Sequence, residues 1–406
     1  MRVLILIIFY LISVNLLYAQ HIIKGKIINA DDRHPVAGAS VYINNSSLGT
    51  STNKEGEFSL NSSNAIIELV ITSIGFERRV VQLQLPLENN LLIAIQEKST
   101  SIQEVVVTNY LKDGWKEWGK FFTENLIGIG DFADKCKILN PEVVKFRYDK
   151  KENILIAICT EPLKIRNNSL GYELTYDLAN FSMNFKNRMF FFEGYAFFED
   201  IGKIKLKIRK NRNDAYLLSI NRFVTSLYNM SWEKDGYVVR KLVKKENELR
   251  QEARNKYNEI FNAVRKKYNN NWNLFYASQK DITQDYVSTL QTQMSQPATI
   301  SYLMGIMQPS DIIKETYPDT NLKHIQFQDY LYLIYPADFT NSKSKLIQKA
   351  ASEVTEIFLI NEEGILIENN GGYYPAADLI LSGYAVAYSK LAYLLPLDYL
   401  PNDGKK

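Results

Sequence analysis

At 406 residues the chain exceeds the usual single-domain size, so two domains, or one plus a large partner region, is the expectation. A formal net charge of +3 is too small to imply nucleic-acid binding by itself, although the basic residues are unevenly spread. The 26 Tyr and 20 Phe favour pleated surfaces over helical bundles, and the composition predicts a mainly β fold.

Residues 1–19 join a basic start at Arg2 to an apolar run from Val3 to Ile12 and end in Leu17-Tyr18-Ala19, a small-residue cleavage site before Gln20. That pattern predicts a cleaved signal peptide; an uncleaved anchor is the alternative, because Val3 to Ala19 is nearly long enough to span a bilayer. No Cys follows the run, so lipid attachment there is not expected. Beyond residue 20 no segment approaches about eighteen continuous apolar residues, and the mature chain is expected to be exported, to the periplasm or outer membrane, without a transmembrane segment. For Cys136 and Cys159 an oxidising compartment leaves two outcomes, a single disulfide or two buried free thiols.

From Ile22 to Ile95 short apolar runs alternate with turn residues: Ile22 to Ile28, Ala39 to Ile43, Gly56 to Leu60, Ile66 to Thr72, Arg79 to Leu85 and Leu91 to Ile95. Strand-length runs at this spacing predict a β-sandwich over residues 20–97. Gly25-Lys26-Ile27, Pro35 to Val41, Thr52 to Phe58 and Ser73-Ile74-Gly75-Phe76 together resemble the carboxypeptidase-regulatory-like domain. That domain is a transthyretin-like or immunoglobulin-like sandwich found at the N-terminus of many Bacteroidetes envelope proteins, TonB-dependent receptors included. The resemblance implies an accessory fold and no catalysis of its own, since fold does not carry function. Asn53 stands where the family often has Asp, and either suits a turn.

Residues 98–110 read as a linker holding a β-branched strand at Glu104 to Thr108. A receptor barrel is not expected downstream, because helical patterns interrupt the remaining chain and it closes on Lys405-Lys406. Residues 111–406 read as a β-rich domain with strands at Val143 to Tyr148, Ile154 to Thr160, Tyr172 to Leu178 and Met189 to Phe198. Helices are expected near 214–229 and 240–268, from apolar residues at helical spacing. Strands return at Ile325 to Tyr335, Val354 to Ile360 and Ile365 to Glu368, with Glu363-Gly364 as a hairpin turn. Cys136 to Val143, Glu161-Pro162-Leu163, Leu170-Gly171-Tyr172, Gly194 to Glu199 and Leu394 to Tyr399 resemble an uncharacterised Bacteroidetes family that pairs this region with the same accessory domain. It supplies no activity to carry over.

The three His residues, His21, His34 and His324, are not spaced to hold zinc, so no metal, cofactor or catalytic residue is assigned. Gly114-Trp115-Lys116-Glu117-Trp118-Gly119-Lys120 matches the start of a phosphate-binding loop, but Phe121 replaces the magnesium-holding Ser or Thr, and a helix start is the expected reading. No Gly-x-Ser-x-Gly elbow occurs, while paired carboxylates of a glycan hydrolase would escape notice among 45 Asp and Glu. Lys203, Lys205, Lys207 and Arg209 alternate with apolar residues, which on a strand puts four cations on one face; a solvated face is the expected reading, and attraction to an anionic polymer or lipid headgroup the alternative. Phe190 to Phe198 reads as core, whereas Tyr373 and Tyr374, after Gly371-Gly372, are expected in a loop as an exposed aromatic contact. The function these features favour is envelope binding or assembly, with an envelope protein or anionic polymer as partner and no nucleic acid.

Overall fold

The computed structural model describes residues 21–98, 110–279 and 281–401; the expected signal peptide and the strand at Glu104 to Thr108 lie outside the described residues. Strands β1 (His21–Asn29), β2 (Ser40–Ile43), β3 (Gly49–Ser51), β4 (Glu57–Ser62), β5 (Ile66–Thr72), β6 (Arg79–Gln84) and β7 (Leu91–Ile95) form two sheets, ordered β4-β1-β7 and β3-β2-β5-β6. The two share one core in which Ile23 and Ile27 meet Val41, Leu69 and Ile71. In β4 the side chains alternate strictly, with Phe58 and Leu60 inward and Glu57 and Ser59 outward, as a half-buried strand requires. The expected sandwich is therefore present.

After α1 (Gly114–Leu126), which lays Phe122 and Leu126 into the core, come β8 (Cys136–Ile138), β9 (Val144–Asp149), β10 (Ile154–Cys159), β11 (Leu163–Asn167), β12 (Tyr172–Asn184) and β13 (Met189–Asp200). They make an antiparallel sheet ordered β8-β11-β12-β10-β9, with the long β13 also laid along β12. The phosphate-loop match falls wholly inside α1, so it opens a helix and forms no glycine loop that could wrap a phosphate. Cys136 and Cys159 are free thiols. They sit on β8 and β10, three strands apart, and roughly 4.8 Å per strand puts them well beyond disulfide reach.

The predicted helix at 214–229 is two helices, α2 (Leu206–Leu218) and α3 (Ile220–Tyr228), broken at Ser219, whose hydroxyl accepts the Arg222 N–H at 3.2 Å. The predicted strand through Lys203, Lys205, Lys207 and Arg209 is not formed. Gly202, at φ +63°, ends β13, and the run enters α2, where Leu206 stays 84% exposed and only Ile208 packs, against Gly171. The alternation that suggested a strand thus buries almost nothing on either face.

The helix predicted over 240–268 is likewise strand first. β14 (Val238–Glu246) buries Val239 and Leu242, and Asn247 then caps α4 (Glu248–Lys267) by accepting the Arg250 N–H at 3.2 Å. With α5 (Trp272–Ser278) and α6 (Gln284–Met294), α4 makes a three-helix arm with its own small core of Ala253, Ile260, Val264, Phe275, Val287 and Leu290. The chain returns as β15 (Thr299–Ile306) beside β14.

There follow α7 (Pro309–Ile312), β16 (Ile313–Tyr317), β17 (Leu322–Ile325), β18 (Tyr330–Ile334), α8 (Lys345–Ala350), β19 (Val354–Leu359), β20 (Ile365–Glu368), β21 (Tyr373–Tyr374), β22 (Leu379–Gly383) and α9 (Tyr384–Tyr388). They complete two sheets, β15-β14-β18-β19-β22 and β16-β17-β20-β21. The single strand expected over Ile325 to Tyr335 is split between these sheets at Asp329, which has φ +63°. Glu363-Gly364 turns the chain, but β19 and β20 belong to different sheets, so the turn joins layers and closes no hairpin. No helix among the described residues is long and apolar enough to cross a membrane.

Candidate functional site

Among the described residues, the sandwich is fastened to the rest of the chain at three places. The turn between β2 and β3 is clamped first. Asn45 donates its N–H to the Ala196 carbonyl at 2.8 Å, Ser46 accepts from the Phe198 N–H at 3.0 Å, and the Leu397 N–H donates to the Asn45 carbonyl at 2.7 Å. Ser47 adds its N–H to Asp398 at 2.8 Å, and the Tyr42 ring lies 5.3 Å from that of Phe197. A side chain at Gly49 would meet the Phe197 ring at 2.7 Å, so this approach needs glycine. The second fastening is Arg78, 2.5 Å from Asp177 and stacked over the Tyr195 ring at 4.9 Å. Burial raises the Asp177 carboxyl above its ordinary range, and the Arg78 guanidinium offsets only part of that rise.

At the third, Ala65 and Ile66 pack on Leu322, Leu366 and Tyr374. The Ile66 N–H donates to Glu368 at 2.7 Å, and Asn370 donates its amide to Asn64 at 3.1 Å. Glu368 is buried, and desolvation raises its carboxyl to about 7 even though the Ile66 amide favours the charged form.

Between the first and third fastenings lies a cleft of about 110 Å³. Its walls are Tyr216 at the end of α2, Ser219 to Asn221 opening α3, Asn370 and Tyr373, and the closing segment from Tyr388 to Tyr399. Asn221 donates to the Gly371 carbonyl at 2.9 Å, and Gly371 at φ +85° would drive a Cβ to 2.2 Å from the Asn221 carbonyl oxygen. Asn370 both lines the cleft and reaches the sandwich, while Leu397 ties the opposite wall to it. Domain junctions are where ligand clefts gather, because two independently shaped surfaces leave a concavity between them.

The phenols of Tyr373, Tyr388 and Tyr399 are raised from their ordinary range by burial, and burial pushes Tyr393 up to about 12, so all stay neutral and can donate. Rings pair along the wall, Tyr388 with Tyr393 at 4.9 Å and Tyr216 with Tyr399 at 6.2 Å. The lining includes no carboxylate, imidazole, thiol or amine. Such a cleft can stack on and hydrogen-bond a small uncharged ring; it offers nothing to shuttle a proton at neutral pH.

Of the candidate contact residues named from the sequence, Tyr373 alone lines this cleft, beside five residues of the Leu394 to Tyr399 motif. It is half-buried in β21, and Tyr374 beside it packs on Ala65 and Ile66, so neither is the exposed loop contact expected. The Gly371-Gly372 turn folds them back onto β20, with Ile367 facing Tyr373 and Leu366 facing Tyr374. Lys203, Lys205, Lys207 and Arg209 are exposed, the first two before α2 and the others in its opening turns. His324 sits in β17 with Nε2 2.7 Å from the Glu363 carbonyl. Among the described residues no three His, Cys, Asp or Glu side chains form a metal-holding group. Sequence reading assigned the closing tyrosines no site role, although Leu394 to Tyr399 carries a family resemblance and tyrosines are dense between Tyr384 and Tyr399.

Residues 23–107 match the family model for the CarboxypepD_reg-like domain, in agreement with the resemblance carried by the sandwich motifs. No curated protein matches the chain. Among solved structures, the chain is similar to a crystal structure from Bacteroides fragilis, described as membrane-associated and of unknown function. The match is 8% identical over 90% of this chain and 98% of that one, with a TM-score of 0.15, too low to show a common fold.

Proposed function

We propose that this chain is an exported, non-enzymatic binding and assembly protein of the cell envelope, acting in the periplasm or at the outer membrane on an envelope protein or anionic polymer. The observation that carries the reading is the seam cleft, walled by phenols, amides and hydroxyls and by nothing suited to general acid-base work. The sandwich, an accessory type by its family match, is held by the seam as a fixed second surface beside the cleft. Exposed Lys203, Lys205, Lys207 and Arg209 add a salt-sensitive contact for an anionic surface, delivered by a loop and helix start. Glu368 is a buried carboxyl raised to about 7, as a hydrolase acid would need, but it is engaged by the sandwich and does not line the cleft, nor do Asp177 and Asp214, which burial also raises. Cross-linking capture from the native envelope, at low and high salt and with Lys203, Lys205 and Lys207 reversed to Glu, tests the reading. Retention of a partner that weakens with both salt and reversal supports it, and retention indifferent to both removes the basic segment from the mechanism.

A further inference from the structure

All eight residues of β15 are exposed, although the strand carries Ile300, Tyr302, Leu303, Met304 and Ile306. Met304 is 48% and Ile306 67% exposed, and the strand contains no charge and no proline. Only one of its edges is paired, to β14; it stands last in its sheet, and among the described residues no strand takes the other edge. Soluble proteins blunt such edges with charges, prolines or short length, because a row of free N–H and C=O groups between apolar side chains recruits another strand. Here charges, prolines and short length are all absent; the one interruption is a bulge at Met304-Gly305, which leaves Thr299 to Leu303 in regular register with β14.

The surroundings say what kind of strand would settle there. From Val238 to Ile306 the sequence holds eleven Lys and Arg against six Asp and Glu, a surplus larger than the +3 of the whole chain. Two of the cations flank β15 from β14 without a carboxylate partner among the described residues. Arg240 donates to the Met304 carbonyl at 2.8 Å, and Lys245 sits 5.9 Å over the Tyr302 ring. Lys244 and Lys241, by contrast, are neutralised by Glu356 at 2.5 Å and Asp329 at 3.0 Å. In the strand's alternation Arg240 and Lys245 fall on opposite faces of the sheet, so each face offers one uncompensated cation beside the open edge. A second copy of this chain would bring an equally cationic arm against the first and be repelled.

We propose that β15 is a strand-addition site, at which a segment of an acidic partner protein extends the sheet by pairing with the open edge. Its backbone takes the free N–H and C=O groups, its apolar side chains cover Tyr302, Leu303 and Met304, and its carboxylates reach Arg240 and Lys245. The inference rests on the binding-module reading and narrows it to one surface and one class of partner.

The full chain titrated with a short fluorescein-labelled peptide in which Val-Val and Glu-Glu pairs alternate, so that carboxylates fall on both faces of the added strand, and with the same peptide carrying Lys for Glu, tests it by fluorescence anisotropy. In an antiparallel ladder adjacent residues point their N–H and C=O alternately toward and away from the neighbour, so one of Ser301 and Tyr302 faces β14 and the other the open edge. Proline placed singly at each should therefore give one variant that keeps its thermal stability and loses the acidic peptide by roughly tenfold or more. Lys245→Glu, which leaves the ladder intact, should weaken the acidic peptide and strengthen the basic one. Equal binding of both peptides, an acidic peptide indifferent to Lys245→Glu, or self-association of the chain that proline abolishes would each overturn the proposal. None of these outcomes bears on catalysis, whereas turnover of a glycan would overturn the binding-module reading and leave peptide binding at β15 standing.

Discussion

Replacing Glu368 with Gln is expected to stabilise the protein at pH 8 and to do much less at pH 5, about a quarter as much. The carboxyl sits at about 7 in the folded chain against an ordinary 4.5, because burial against Ala65, Ile66 and Tyr374 strips it of water while the Ile66 amide at 2.7 Å only partly compensates. A carboxyl raised on folding contributes fully below its unfolded value, and that contribution is lost as pH rises through the folded one. Stability therefore falls between about pH 4.5 and 7 and levels off above, by about 3 kcal/mol at 1.36 kcal/mol per pH unit. Glutamine keeps an oxygen for the Ile66 N–H and has no proton to lose. Neighbouring Tyr228 and Tyr374 are raised from their ordinary range and stay neutral throughout. Urea unfolding of both proteins at pH 5 and pH 8, with hydrogen exchange at the Ile66 amide as a local probe of the seam, reads the difference. A Gln variant destabilised by the same amount at both pH values would refute the reasoning, since the carboxylate would then be acting as a well-solvated acceptor.

Three further outcomes are expected. Phe122→Ala should cost about 3–5 kcal/mol in denaturant unfolding, because Phe122 is fully buried among Trp115, Phe146 and Phe181, with the last ring at 4.7 Å; a loss under about 1 kcal/mol would mean that this core collapses around the gap. Burial pushes the Cys136 and Cys159 thiols up to about 12, so iodoacetamide at pH 8 should leave both unmodified in the folded chain and alkylate both in urea, as intact-mass measurement would show. Lys390, lowered by burial to about 8 and lying 4.8 and 4.7 Å over the rings of Phe190 and Phe192, should be acetylated at pH 8 ahead of exposed Lys203; equal labelling in peptide mapping would contradict that desolvation.

Much of the sandwich was legible because each strand carries its own evidence: runs such as Ile66 to Thr72 are bounded by turn residues, and the observed β5 has those limits. The misreading of residues 240–246 as helix has a physical source. Valines and lysines fit either a helix face or a half-buried strand, and what decides is the neighbour, β18 on one side and β15 on the other, which no local window contains. Lys203 to Arg209 failed the other way, because period-2 alternation is evidence of a strand only when one face finds a core, and Leu206 finds none. Glu363-Gly364 shows a third limit: the turn was real, but which sheet each flanking strand joins is a property of the whole fold. The seam cleft was beyond reach for the same reason. Its walls come from residues 216–221, 370–373 and 388–399, and only folding makes them neighbours. Glu368 looked like any other strand-end acid until Ile66, some three hundred residues earlier in the chain, was placed against it.

As proposed, the chain holds envelope material without transforming it. Incubating the purified mature protein with isolated envelope glycan, and following both co-sedimentation and released fragments by mass spectrometry, tests that most directly. The account predicts saturable, salt-sensitive co-sedimentation with the fragment profile unchanged over time. Progressive release of soluble fragments, stopped by substitution of a single carboxylate, would contradict it.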